Sequence, residues 1–186
     1  MQDKLDNAEG LRSLIETAFA EVAYPGDDAI TISSCPCTEC EDTREFFRGK
    51  HWQEIADAQK LMQYCWGGLS ILSPQAWHFY LPTYLIIGID GDVEDYEDIE
   101  NYLQMCPTEE ARETLICNLS PLGRTGHRVK WFEERVALLS EEQRKCLEVY
   151  TAQVYASGVI EWADEIWPTA EEWKAVADFW EQLASR

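Results

Sequence analysis

The chain has 186 residues, with 35 Asp and Glu against 15 Lys and Arg and a formal charge of −20 at pH 7. A surface of that sign repels nucleic acid and anionic membranes, which excludes direct binding to either, and it attracts basic proteins and speeds their encounter. Eight Trp, eight Tyr and six Phe within a 46% hydrophobic composition exclude an acidic disordered tail, which lacks the apolar surface needed to order itself.

Helical signals dominate along the chain. Leu11, Leu14, Ile15, Ala18, Phe19 and Val22 recur at three and four residues and predict a first helix that stops at Tyr24-Pro25-Gly26. Residues 27–34 hold a short apolar run, Ala29 to Ile32, that would suit a strand. A Cys-rich loop follows, then a helix over 41–47 and another over 52–64. Ser73-Pro74 reads as an N-cap with Pro at the first helical position, and Pro82 should then kink or end that helix. Residues 93–105 and 109–118 predict helices on either side of Pro107. Residues 121–126 read as a loop, and 127–139 as a helix with Trp131, Arg135 and Leu138 on its stripe. Ser140 with Gln143, and Thr169 with Glu172, form capping boxes for the last two helices. The final helix should bury Trp173, Val176, Ala177 and Trp180.

No strand–helix alternation, repeat or linker interrupts this pattern. The expected class is all-α: a multi-helix globular domain over 1–186, with room for one short strand pair in the N-terminal third and a sub-boundary near 121–126. The start, MQDKLDNAEGLRSL, has neither a basic n-region nor an apolar run of signal length, and the seven Cys follow no secreted disulfide spacing. Both point to a cytoplasmic protein with reduced thiols. The longest apolar stretch, 84–89, is far short of a membrane span.

Four constellations bear on function. Cys35, Cys37 and Cys40 place three thiols within six residues, and His51 lies eleven further on. A Cys3His set is one that zinc accepts in structural sites, with Cys65 as an alternative fourth ligand. The usual pair of separated CxxC knuckles is missing, so the plainer reading is a loop of small buried or half-buried thiols. Asp90, Asp92, Glu94, Asp95, Glu97, Asp98 and Glu100 put seven acids in eleven positions. The D-G-D-x-E start hints at a calcium loop, but the sixth and twelfth positions hold Asp95 and Asn101 where Gly and Glu are required. The run is either a solvated helix face or a docking face for a basic partner. Of three histidines, His78 sits in the aromatic segment Trp77-His78-Phe79-Tyr80 and reads as a packed, hydrogen-bonded residue rather than a base. Trp162, Trp167, Trp173 and Trp180 crowd the C-terminal segment, where core packing competes with a role as partner anchors. No nucleophile elbow, phosphate-cradling glycine loop or H-E-x-x-H pair occurs.

Several segments taken in order carry a resemblance. They are Tyr24-Pro25-Gly26-Asp27-Asp28, Glu39-Cys40-Glu41, Phe47-Arg48-Gly49-Lys50-His51-Trp52, and Leu72-Ser73-Pro74-Gln75-Ala76 leading to Tyr80-Leu81-Pro82. Together they resemble an uncharacterised bacterial domain family of unknown function. The resemblance implies a bacterial cytoplasmic protein and transfers no active site. In character alone the chain is similar to small acidic immunity proteins, which bind and block a toxin. The expectation is therefore a binding protein, not an enzyme, whose partner is a basic toxin or nuclease met through Asp90 to Glu100. A DNA mimic acting against a defence complex, and a zinc-bearing structural or hydrolytic protein built on Cys35, Cys37, Cys40 and His51, are the alternatives.

Overall fold

The computed structural model describes residues 2–32, 37–55, 61, 68–89, 107–121, 124–156 and 169–185. Among them lie eight α-helices: α1 (Gln2–Phe19), α2 (Thr38–Phe47), α3 (Gly68–Ile71), α4 (Pro74–Ile89), α5 (Pro107–Leu119), α6 (His127–Val136), α7 (Glu141–Ala156) and α8 (Ala170–Ala184). The class is all-α, as the periodicity predicts. Among the described residues no helix is long and apolar enough to cross a membrane. The predicted helix over 93–105 lies outside the described residues.

Helix α4 is the axis. It has no charged side chain, and Ala76, Trp77, Phe79, Tyr80, Leu81, Tyr84, Leu85 and Ile87 are all buried. Such a helix must be covered on every side, and α1, α3, α5, α6 and the 3-10 turn Trp52–Glu54 pack against it. The outer layer is closed by α7, which lies on both α1 and α8. One buried cluster runs from Leu11 to Trp180 and draws on both sides of residues 121–126.

Of the two outcomes expected at Pro82, a kink or an end, the helix does not end there; it continues seven residues further, to Ile89. Pro82 lacks the N–H that would bond the His78 carbonyl. Burial of the turns on either side outweighs that loss, and two side-chain hydroxyls brace them from outside. The Tyr80 hydroxyl shares its proton between the Phe47 and Lys50 carbonyls, 2.9 Å from each. Thr83 Oγ1 donates to the Trp52 carbonyl at 3.0 Å.

The predicted apolar stripe of α1 is largely right: Leu11, Ile15 and Phe19 are buried, and Leu14, Ala18 and Val22 pack partly buried on the same core. The helix stops at Phe19, before the Pro-Gly signal. Its last turn tightens through i, i+3 bonds from Ala20 and Val22, and the Ala18 carbonyl is taken by Gln143 Nε2 at 3.1 Å. A tertiary partner 125 residues away thus satisfies a helix-end acceptor that local sequence leaves open.

The strand expected near Ala29 to Ile32 is replaced by a 3-10 turn, Asp27–Ala29, and a single antiparallel bridge between Thr31 and Leu72. Pairing cannot extend, because Ser73 immediately turns into the N-cap of α4. Ser73 Oγ accepts from the Ala76 N–H at 3.1 Å and donates to the Ala29 carbonyl. The helix expected over 52–64 begins as the 3-10 turn Trp52–Glu54, which ends at Ile55; residues 56–60 and 62–67 lie outside the described residues. On α6 the stripe is also shifted: Phe132 and Arg135 are buried, while Leu138, beyond the helix, is 37% exposed.

Candidate functional site

Tyr24 and Asp27 meet Gly49 across the surface. The Tyr24 hydroxyl donates to Asp27 Oδ1 at 2.5 Å, and the Gly49 N–H reaches the Tyr24 oxygen at 2.9 Å and Asp27 Oδ1 at 3.2 Å. Gly49 has φ +67, a conformation that glycine adopts without strain. The Phe79 ring stacks edge-on against Tyr24, His51 and Tyr80. The Tyr-Pro-Gly-Asp-Asp, Arg-Gly-Lys-His-Trp and Ser-Pro segments therefore converge around the N-terminal half of α4. Burial is the main cause that raises the pKa of both Tyr24 and Tyr80 above its ordinary value, with Asp27 adding to it. Neither phenol ionises near neutrality, so this cluster is a latch between loops.

A cleft of about 690 Å³ opens beside the latch, where the end of α1, the start of α4 and the start of α7 meet. His78 lies in its wall, with Glu21, Val22, Leu138, Ser140 and Glu142 around it. The Ser140–Gln143 cap orients the histidine. Gln143 Oε1 accepts from the Ser140 N–H at 3.0 Å, and its Nε2 is committed to the Ala18 carbonyl. Gln143 Oε1 lies 2.7 Å from His78 Nε2, so that nitrogen carries the ring proton and Nδ1 is left as the acceptor. Burial lowers the His78 pKa below its usual value, and the Gln143 bond offsets this in part. The ring is neutral at pH 7. Glu142, at the exposed rim, is held below its ordinary pKa by its own backbone N–H and then by the Ser140 hydroxyl, 2.9 Å away. His78 was expected as a packed, hydrogen-bonded residue. It is half-buried, and its connection to the cleft depends on Gln143, 65 residues away, which no local pattern reveals.

The seven acids predicted to meet a partner, Asp90, Asp92, Glu94, Asp95, Glu97, Asp98 and Glu100, lie outside the described residues, as does Cys35. Cys37 is exposed at the N-cap of α2, and Cys40 is buried within that helix. His51 caps the turn Trp52–Glu54: its Nδ1 accepts from the Gln53 N–H at 3.4 Å, and its backbone N–H donates to Glu54 Oε2 at 2.7 Å. Among the described residues no three His, Cys, Asp or Glu side chains gather as a metal site would need. Trp173 and Trp180 are buried, the latter donating to the Leu119 carbonyl at 3.1 Å; Trp162 and Trp167 lie outside the described residues.

Sequence inspection singled out Asp90 to Glu100 and passed over α2. That helix exposes Glu39, Glu41, Asp42 and Glu45 within ten residues, next in sequence after the exposed Asp27 and Asp28. None of these four is held in an ion pair with a described residue. Ion pairs among the described residues join Lys130 to Glu134, Lys145 to Glu148 and Lys174 to Asp178, each within one helix. Further acids are exposed along α1 (Glu9, Glu16), α6 (Glu133, Glu134), α7 (Glu141, Glu142) and α8 (Glu171, Glu181).

Neither a curated protein nor a solved structure matches this chain. The model of the family of unknown function DUF6714 matches residues 7–184, and the chain belongs to that family.

Proposed function

We propose that this protein is an acidic interaction module that binds and blocks a basic partner, in the manner of an immunity or inhibitor protein. The observation that carries the reading is the row of exposed carboxylates on α2, none of them in an ion pair among the described residues, set in a chain with a surplus of twenty acids. Carboxylates already committed to intramolecular pairs contribute little field; uncommitted ones attract a cationic surface and raise its encounter rate, from a neutral value of about 10⁵–10⁶ toward 10⁸–10⁹ M⁻¹s⁻¹ at low salt. Acids on the other helices add to the long-range potential, and Asp90 to Glu100 adds seven more in sequence. A DNA mimic needs its acids in a row matching about one charge per 1.7 Å of duplex. Their occurrence on α1, α2, α6, α7 and α8 favours a steering surface over such a replica.

The test is association with a cationic nuclease as probe, and with any basic protein encoded beside this one. The wild type and a Glu39→Gln, Glu41→Gln, Asp42→Asn, Glu45→Gln variant are compared. Inhibition of the nuclease, with association that slows steeply in salt and is weakened by the variant, supports the reading. No complex with either protein at low salt contradicts it.

A further inference from the structure

The His78 cleft has a chemistry distinct from the open acidic surface. None of its lining residues is Lys or Arg, and two of them, Glu21 and Glu142, are carboxylates. His78 lines the cleft uncharged, because burial disfavours the imidazolium; its Nε2 proton goes to Gln143 Oε1, and Nδ1 remains an acceptor. Ala18, Val22, Pro25 and the exposed Leu138 supply apolar wall. An anionic occupant would face two carboxylates with no cationic side chain in the lining to offset them. An apolar one would leave them unsatisfied. A cationic head on an aliphatic stem answers both halves of the lining.

We infer that the cleft receives an arginine side chain of the basic partner. Its guanidinium would lie among Glu21, Glu142 and His78 Nδ1, and its stem against Val22 and Leu138. Guanidinium is preferred to ammonium because the acceptors come from three separate elements, and a planar fork of five donors can engage acceptors in several directions at once. The volume, about 690 Å³, lies within the range of built ligand pockets and also admits the residues flanking such an arginine. This inference rests on the proposed docking function and names the partner's anchor. Buried arginines are among the side chains that dominate interface energetics.

The test uses N-acetyl-arginine amide as probe on the intact chain, followed by amide NMR shifts, with N-acetyl-norleucine amide and N-acetyl-lysine amide alongside. The expected result is saturable shifts confined to residues 17–25, 75–78 and 138–143, weaker with the lysine compound and absent with norleucine. Glu21→Gln with Glu142→Gln should weaken the probe by about tenfold, the loss of two partly exposed charge contacts. His78→Phe, which removes the acceptor, should weaken it with the carboxylates intact. Circular dichroism confirms that both variants are folded. Shifts scattered over the acidic helices, or unchanged in Glu21→Gln/Glu142→Gln, overturn the cleft assignment. So does preference for the lysine compound. These outcomes stand apart from the docking reading, which fails only if the basic protein itself does not bind.

Discussion

The Arg135 guanidinium donates to the Leu72 carbonyl at 2.6 Å, tying α6 to the end of α3 from a position with no exposed surface. Its second bond, at 2.7 Å, goes to Asn118 Oδ1. The faces of Trp131 and Trp77 lie 3.1 and 5.4 Å from its central carbon. In a chain with a large acidic surplus, the groups that hold this buried guanidinium among the described residues are neutral. Burial, and secondarily the like charge of Arg124, draws its pKa down. Truncation to Ala removes the donor to Asn118 Oδ1 and to the Leu72 and Ser70 carbonyls and opens a cavity, so Arg135→Ala should lose about 3–5 kcal/mol of unfolding free energy. Arg135→Met retains volume and removes the buried charge, and should lose markedly less. Urea titrations decide; equal losses would show that the hydrogen bonds, not the packing, carry the residue.

His78 makes stability depend on pH in a defined direction. Its folded pKa lies below the ordinary histidine value of about 6.5, chiefly through burial. The unfolded chain therefore binds the proton first as pH falls, and stability rises with pH across that interval. The contribution is complete above about pH 6.5 and is lost as pH drops toward the folded value. The groups around the ring are the Gln143 amide, the Phe19 edge, and the cleft's Glu21, Glu142 and Tyr24. A His78→Gln variant should lack this component between pH 5 and 7, measured as the difference in Tm between the two proteins against pH. Parallel curves would contradict it.

At Gly88, α4 faces Leu115 of α5 and Tyr150 of α7. A Cβ there would press into the buried Tyr150 hydroxyl and lie 3.2 Å from Leu115 Cδ1. Tyr150 is buried and cannot swing aside freely. Gly88→Ala should therefore cost about 1–3 kcal/mol, although alanine is the better helix former. Adding Tyr150→Phe, which removes the obstructing oxygen, should recover part of the loss. A stabilised Gly88→Ala would mean that the contact relaxes at no cost.

His51 acts as a helix-type cap, so its replacement should follow capping rules. Asn accepts the same backbone N–H; Ala does not. His51→Ala should be less stable than His51→Asn by about 1 kcal/mol, with the stacking on Phe79 lost in both. Chelator should leave the comparison unchanged. A drop in wild-type Tm on adding chelator would instead show that the thiol loop and His51 hold a metal.

Features written in short-range chemistry were legible in the sequence. The Ser73-Pro74 start and the Ser140–Gln143 and Thr169–Glu172 boxes are bonds between residues three apart, and each is present. The buried faces of α1 and α8 followed from spacing alone. The continuation of α4 past Pro82 was not legible, because the local penalty is offset by packing on all sides of α4. The burial of Arg135, the end of α1 at Gln143 and the wall of the cleft depend on partners 63 to 125 residues apart. The acids of α2 are a weaker signal in sequence, being interleaved with Cys40, Thr43 and Arg44, than the denser run at Asp90 to Glu100.

The most direct test of the docking account is the association rate with the basic partner, measured by stopped flow from about 0.05 to 0.5 M salt. Over that range the screening length falls from about 14 to 4 Å. The account predicts a rate that drops by at least about tenfold for wild type, and a shallower dependence when Glu39, Glu41, Asp42 and Glu45 are neutralised. A rate indifferent to salt, and unchanged in that variant, would contradict it.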